Sequence, residues 1–393
     1  MHGDSIVFSI FLIFTGAAIF ATIALFLRQA MLVAYLILGA LCGPWGFALV
    51  TDPKVIQDIA QIGIIFLLFL LGLNLSPLKL FQLLKETTHI TLFCTLVFGG
   101  VAGAIAWLFD LPLSDVIVIG ICASFSSTII GLKLLPTTVL HHRHIGEVII
   151  SVLLFQDLIA IIAMLVMHGI TQSAGEVSHP LLDILFLFVA LPGVGLTAWL
   201  GQRYILMKLF SKFDRIQEYV FLITIGWCLG IAQLAHSLGL SYEIGAFTAG
   251  VAVASSPISL YIAESLKPLR DFFLVMFFFG LGAGFDLVAA IDVIVPAALI
   301  GIGLLIIKPL VFRYLLVSQA QSKELAWETG VRLGQLSEFS LLIAFVALQG
   351  NLILSESFYI IQMATIISFM VSAYWIVARY PTPIALDEKL RRD

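Results

Sequence analysis

Apolar runs of membrane-spanning length follow one another along this 393-residue chain, separated by short stretches rich in Pro, Gly and charged residues. A hydrocarbon slab about 30 Å thick needs about 20 apolar residues per helix. Thirteen runs meet that length, at 5–27, 30–50, 57–77, 89–110, 114–138, 145–169, 181–209, 217–237, 241–260, 268–288, 291–317, 326–350 and 354–379. The links are too short for a folded domain outside the membrane. The first run opens on His2 and Asp4 rather than a basic region and carries no clear small-residue cleavage site, so it reads as a span and not as a signal peptide. The pattern predicts an all-α polytopic membrane protein with 13 transmembrane helices.

Composition agrees with that class. The 20 basic and 24 acidic residues make up 11% of the chain, against 61% hydrophobic residues. A soluble globule carries about 25% charged residues, so this chain lacks the charge for a water-facing surface. Soluble enzyme, secreted disulfide scaffold and nucleic-acid binder are excluded. Cys42, Cys94, Cys122 and Cys228 stand in apolar surroundings without disulfide or zinc spacing. Charge distribution tests the span count, because Lys and Arg collect on the cytoplasmic side. With the amino terminus outside, Lys54 alone falls on the outer side and Lys133, Lys308 and Arg332 fall within or at the ends of apolar runs; the rest of the 20 lie on inner loops or the tail. An odd number of spans follows, with the amino terminus out and the carboxyl terminus in.

Two runs are interrupted by polar residues. The fifth carries Ser124, Ser126, Ser127 and Thr128; the twelfth carries Gly330, Arg332, Gly334, Gln335, Ser337 and Glu338. They lie seven spans apart. That spacing suits two six-helix units, 5–169 and 217–379, joined by a linker helix at 181–209 that inverts the second unit. Secondary transporters use such inverted pairs to place discontinuous helices near the bilayer midplane. Close helix packing through small residues is the plainer reading of each break alone.

Ionisable residues inside a membrane cost several kcal/mol, about 2.5–3.5 on insertion scales. Asp157 stands mid-run in Val-Leu-Leu-Phe-Gln-Asp-Leu-Ile-Ala, with no Lys or Arg within one helical turn and Gln156 before it. A carboxylate there suits a bound cation or a carried proton, or else a neutral structural Asp. Lys308, just before Pro309, fits a structural ion pair, a proton-linked carrier or a snorkelling lysine. Arg332 and Glu338 stand six residues apart, too far for an i,i+4 bridge, so each serves a different partner. Glu243 reads as facing outer water. His141, His142 and His144 form a polar inner cluster, weak evidence for pH sensing or metal.

Together these residues resemble the second family of bacterial monovalent cation:proton antiporters, especially its Kef-type potassium:proton branch, over nearly the whole membrane portion. Phe155-Gln156-Asp157 matches the Gln-Asp ion-site motif of Kef-type members, where sodium-selective electrogenic relatives usually have two acids. Ser126-Ser127-Thr128 matches the run in the first unwound helix, and Lys308 the lysine of the core. Gly334-Gln335-Leu336-Ser337-Glu338-Phe339 resembles the second crossing-helix motif, with Ser337 where glycine is usual, a change expected to leave that helix less freely kinked. Gly245-Ala246-Phe247-Thr248-Ala249-Gly250 resembles a run on a scaffold helix.

The resemblance implies two crossed discontinuous helices, a moving core at 89–169 and 291–379, and a homodimer scaffold, all within a transmembrane domain at 1–380 of the bacterial inner membrane. Asp157 would bind cation and proton in turn, with Gln156, Ser126, Ser127 and Thr128 supplying oxygens or orienting the site. Lys308, Glu338, Gln335 and Arg332 would couple or hold the core. One acid implies one proton per cation and electroneutral exchange. No cofactor is expected; the partners are potassium or sodium, protons and the lipid bilayer, without nucleic acid. Kef-type proteins usually continue into a cytosolic nucleotide-binding domain, whereas residues 381–393 form a short charged tail, leaving room for a separate cytosolic regulator. The alternatives are a sodium:proton antiporter of the same architecture and, less favoured, a gated cation channel, for which no carbonyl-lined filter is found. Enzyme chemistry is not expected, because the His residues lie mostly at ends and loops, away from Asp157.

Overall fold

The computed structural model describes residues 6–27, 29–50, 53–74, 77–133, 144–173, 180–213, 216–256, 258–286, 288–319 and 321–382. Arg28, His141, His142, Arg143, Arg215 and the tail from 383 lie outside the described residues, as do the side chains of Lys54, Lys79, Lys85, Lys133, His144 and Lys267. The described chain is helical throughout, without a β-strand. Among the described residues five helices are long and apolar enough to cross a membrane, at Val7–Phe26, Thr88–Leu108, Gln217–Ser237, Ile294–Ser318 and Ser355–Arg379, and six shorter apolar helices accompany them. Many large apolar residues face outward, with Phe26, Val7, Leu96, Leu108 and Tyr314 all strongly exposed, while Asp157, Lys308 and Arg332 are at most 1% exposed. Polar inside and apolar outside suits a lipid solvent, in which only packing and internal hydrogen bonds distinguish one helix face from another. This is a multi-pass membrane protein.

The chain forms two compact units. One comprises residues 1–51, 83–163 and 282–393. It contains α1 (Ile6–Phe26), α2 (Met31–Cys42), most of α4 (Pro77–Leu108), α5 (Leu113–Ala123), α6 (Thr128–Lys133) and the first part of α7 (His144–Ser173). Its later helices are α14 (Ala289–Asp292), α15 (Ile294–Ser318), α16 (Lys323–Arg332), α17 (Glu338–Gln349) and α18 (Ser355–Arg379). The expected second span, 30–50, is helical only to Cys42. Gly43 is already extended and Pro44 follows it, so the helix stops there and the chain folds back through a Phe47 N–H bond to the Leu41 carbonyl.

The other unit comprises residues 52–82 and 164–281, with α3 (Pro53–Asn74), α8 (Pro180–Gly201), a five-residue π segment continuing into α9 (Met207–Phe213), α10 (Gln217–Ser237), α11 (Tyr242–Ala254), α12 (Ser259–Ser265) and most of α13 (Lys267–Ala283). Its α3 and α11 cross backbone to backbone: a methyl group built on Gly250 would lie 2.1 Å from the Phe69 carbonyl oxygen, and one on Gly72 would lie 2.4 Å from that of Phe247. Small residues permit such approaches in membranes, which accounts physically for the last glycine of the Gly245–Gly250 run. Glu243 departs from its expected place in outer water. It is only 9% exposed in the first turn of α11, where Ser241 caps the helix and the helix dipole favours an acid.

Candidate ion site

Both polar interruptions are real gaps in helices of the first unit. α5 ends at Ala123 and α6 begins at Thr128; α16 ends at Arg332 and α17 begins at Glu338. Each gap ends in a serine that starts the next helix. The Ser127 hydroxyl accepts the Ile130 N–H at 3.1 Å. The Ser337 hydroxyl accepts that of Phe339 at 3.1 Å, and the Ser337 N–H in turn donates to Ser340 Oγ at 3.3 Å. This is N-cap chemistry, which satisfies amide groups that an interrupted helix leaves without partners. Ser337 has φ −112° and ψ 154°, extended backbone open to any residue. The expected stiffening by serine in place of glycine therefore does not keep this helix whole.

The first gap carries the carboxylate. Asp157, 1% exposed on α7, accepts from the Thr128 hydroxyl at 3.2 Å to each of its two oxygens. Gln156 turns to the gap itself: its Oε1 accepts the Ser126 N–H at 3.0 Å and its Nε2 donates to the Ser124 carbonyl at 3.3 Å. One amide thus replaces helical bonds on both sides of the break. Ser126 Oγ donates across to the Leu333 carbonyl in the second gap, at 2.8 Å.

Lys308 on α15 joins the two gaps. Its fully buried ammonium donates to the Phe125 carbonyl at 2.7 Å, the Gln335 carbonyl at 3.1 Å and Ser126 Oγ at 3.4 Å, and lies 5.3 Å from the Phe98 ring centroid. Three donors meet three acceptors. A lysine reaches both gaps because α16 approaches α15 closely: a methyl group on Gly330 would lie 2.7 Å from Pro309 Cα. Of the three roles open to Lys308, the snorkelling side chain does not fit these bonds, which hold the buried ammonium between the two gaps.

Beside Lys308, neutral groups hold the second gap. Gln335 Nε2 donates to its neighbour Arg332's carbonyl at 2.9 Å and, at the 3.5 Å limit, to Ser127's, while Oε1 accepts from Ser372 on α18 at 3.0 Å. Ser368 Oγ accepts the Leu336 N–H at 3.1 Å, and Ser340 Oγ donates to the Cys122 carbonyl at 2.5 Å. Glu338, first residue of α17, lies within electrostatic range of Asp157. Arg332 points elsewhere, to Glu328 at 2.9 Å.

The family model of the sodium/hydrogen exchanger, transmembrane, matches residues 10–378. The chain belongs to this exchanger family. It is 30% identical over 352 residues to the glutathione-regulated potassium-efflux system protein KefC of Escherichia coli O45:K1, and 30% identical over 350 residues to that of Shigella flexneri. Each match covers 88% of this chain but 56% of the relative, so the chain spans little more than half their length. Its fold is similar to that of the sodium proton antiporter MjNhaP1 from Methanocaldococcus jannaschii at pH 8, with a TM-score of 0.68, 17% identity, and coverage of 94% of this chain and 95% of that one. A second structure of MjNhaP1 gives a TM-score of 0.59 at 16% identity, covering 94% and 92%.

In this chain, Asp157, Thr128, Gln156, Ser126, Ser127, Lys308, Gln335 and Ser337 gather around the paired gaps, with Glu338 at the edge. Arg332 contributes to the gaps through its backbone carbonyl. Sequence reasoning missed Ser340, Ser368 and Ser372. The spacing of Thr365, Ser368 and Ser372 puts them on one face of α18, a polar stripe that was there to be read. It also missed that Glu328, four residues before Arg332, is the arginine's partner. Among the described residues no group of three or more His, Cys, Asp or Glu side chains is placed to hold a metal ion, and all four cysteines are free and buried.

Proposed function

We propose that this chain is the membrane part of a secondary active antiporter that exchanges a monovalent cation, potassium in the first place, for protons by alternating access. The observation that carries the reading is the buried Asp157 carboxylate, held by Thr128 at the start of α6 beside two mutually bonded helix gaps. A carboxylate in a membrane interior with no basic partner on its own helix turn takes a proton or a cation. One carboxylate does not hold both at once, and that competition supplies the coupling. Thr128 donates to the bare carboxylate and offers its lone pairs when a cation takes the proton's place. Gln156, Ser126 and Ser127 keep the gap open and orient it. Lys308 neutralises the carbonyl ends, and Gln335, Glu338 and Arg332 hold the second gap against the first.

Potassium is favoured because the relatives at 30% identity are named for potassium efflux; the solved neighbours, at 16–17%, support the fold alone. The finer architecture belongs to the same reading: 13 spans in inverted repeats, two crossed discontinuous helices, a homodimer in the bacterial inner membrane, amino terminus outside and carboxyl terminus in the cytoplasm. Asp157 as the exchanging acid gives one proton per cation and an electroneutral cycle.

The test is transport in sealed liposomes carrying a pH dye, with potassium, sodium or lithium added in turn. The expected result is cation-dependent proton movement, strongest with potassium. Proton movement indifferent to every cation defeats the antiporter reading, and cation flux without proton movement favours a channel. Reversal of transport by membrane potential at fixed gradients defeats the electroneutral account.

A further inference from the structure

The chain leaves its last helix along an unexpected path. After Arg379 the backbone becomes extended at Tyr380 (φ −125°, ψ 156°), and Thr382 is completely buried. What receives the exit segment is Arg332, the last residue of α16 and itself 1% exposed. Arg332 Nη2 donates to the Pro381 carbonyl at 3.0 Å, its guanidinium lies 5.5 Å from the centroid of the Tyr380 ring, and Nε donates to Glu328 at 2.9 Å. A cation at a helix carboxyl end complements the dipole from the surface too. Burying the guanidinium is costly unless it is paired and bonded, and two of its contacts here are to the exit segment.

The other side of Arg332 is the second gap. Its own carbonyl accepts from Gln335 Nε2, and the Gln335 carbonyl accepts from Lys308, whose ammonium also holds the Phe125 carbonyl in the first gap. An unbroken series of bonds therefore runs from Pro381 to the ion site. Trp327, stacked edge-on against Trp375 of α18 and lying under Arg313 of α15, anchors the middle of α16, which leaves its carboxyl end as the part that the exit segment addresses.

We infer that Tyr380–Thr382 is a positioning strap for the second gap, acting through Arg332 to set the geometry of Leu333–Ser337 and hence the cation affinity of the site. The inference rests on the antiporter reading for its effect on transport, but not for its effect on the gap. Anything attached beyond Thr382, whether more chain or a bound protein, gains through this strap a mechanical handle on the ion site.

The experiment uses the full chain reconstituted in liposomes, with two glycines inserted between Arg379 and Tyr380, with Arg332→Lys, with both together, and with Tyr380→Leu. Hydrogen exchange of the peptide covering Leu333–Ser337 is read by mass spectrometry, and apparent KM for potassium is separated from kcat. The insertion is expected to speed exchange at the gap at least tenfold and raise KM at least threefold while kcat stays within twofold. Arg332→Lys moves both in the same direction, and the double variant is no worse than the more affected single one, as expected for residues acting in one series. Tyr380→Leu, which leaves chain length intact, gives a two- to threefold version of the exchange effect and keeps the test open if the insertion misfolds. Unchanged protection of the gap in both the insertion and the Tyr380→Leu variants overturns the strap, as does a double variant whose effects add. A wild-type protein that moves no cations defeats the antiporter reading, while the hydrogen-exchange result still decides the strap.

Discussion

At the first helix gap one amide from another helix, Gln156 of α7, bonds the backbone twice, whereas the second gap is met by several groups: its own Gln335, which Ser372 of α18 holds, Ser368 of α18, and Ser126 from the first gap. The residue after Gln156 is Asp157, so the helix that mends the first gap also brings a carboxylate to it. Around the second gap the groups aimed at the backbone are neutral apart from the Lys308 ammonium, and its arginine side chain turns to the chain exit. A gap in a helix is only a set of backbone groups in need of partners. Which partners are supplied decides whether it becomes an ion site or a joint. Lys308, bonded to a carbonyl from each gap, makes the joint and the site one object.

The largest test of this contrast is Asp157→Asn, which keeps the shape and removes the titrating, cation-binding group. Cation-dependent proton movement in liposomes is expected to vanish with folding and insertion intact; retained coupled exchange removes Asp157 from its central role. Next is Lys308→Ala, which orphans the Phe125 and Gln335 carbonyls. At about 1–3 kcal/mol per unsatisfied group, a loss of roughly 3 kcal/mol is expected, read as a lower unfolding temperature in detergent. An unchanged temperature means that the lysine does not clamp the gaps. Gln156→Leu orphans the Ser126 N–H and the Ser124 carbonyl, for a loss of about 2 kcal/mol and weaker apparent cation affinity. Ser372→Ala removes one neutral contact at the second gap. Such bonds in membranes average about 0.6 kcal/mol, so exchange is expected to keep its cation KM. If Ser372→Ala shifted KM as much as Gln156→Leu, the division between site and joint would collapse.

Much of the site was legible beforehand because membrane burial makes polar residues conspicuous. Asp157, Lys308 and both gaps stood out as exceptions within apolar runs, and each lies where the chemistry converges. Glu328 and Arg332 were legible too, at i,i+4 spacing, and were passed over. That Lys308 could reach a carboxylate or the broken helix ends was legible, but which carbonyls it takes was not. They lie 183 and 27 residues away, and no local rule joins positions so distant. The hydroxyls of α18 were hidden for another reason: serine and threonine in a membrane helix serve packing or self-bonding equally well, as Thr365 does with the Ile361 carbonyl.

What the sequence by itself determined is the membrane class, the positions of the two gaps and the buried acid, because transfer from water to hydrocarbon acts residue by residue and leaves its mark in one dimension. What the tertiary structure decided is the pairing: Gln156 with the first gap, Ser372 with Gln335, Lys308 with both gaps, and Arg332 with the segment that leaves α18. Backbone groups freed by a broken helix accept any donor that arrives with the right geometry, and only the packing of helices distant in sequence determines which donor that is.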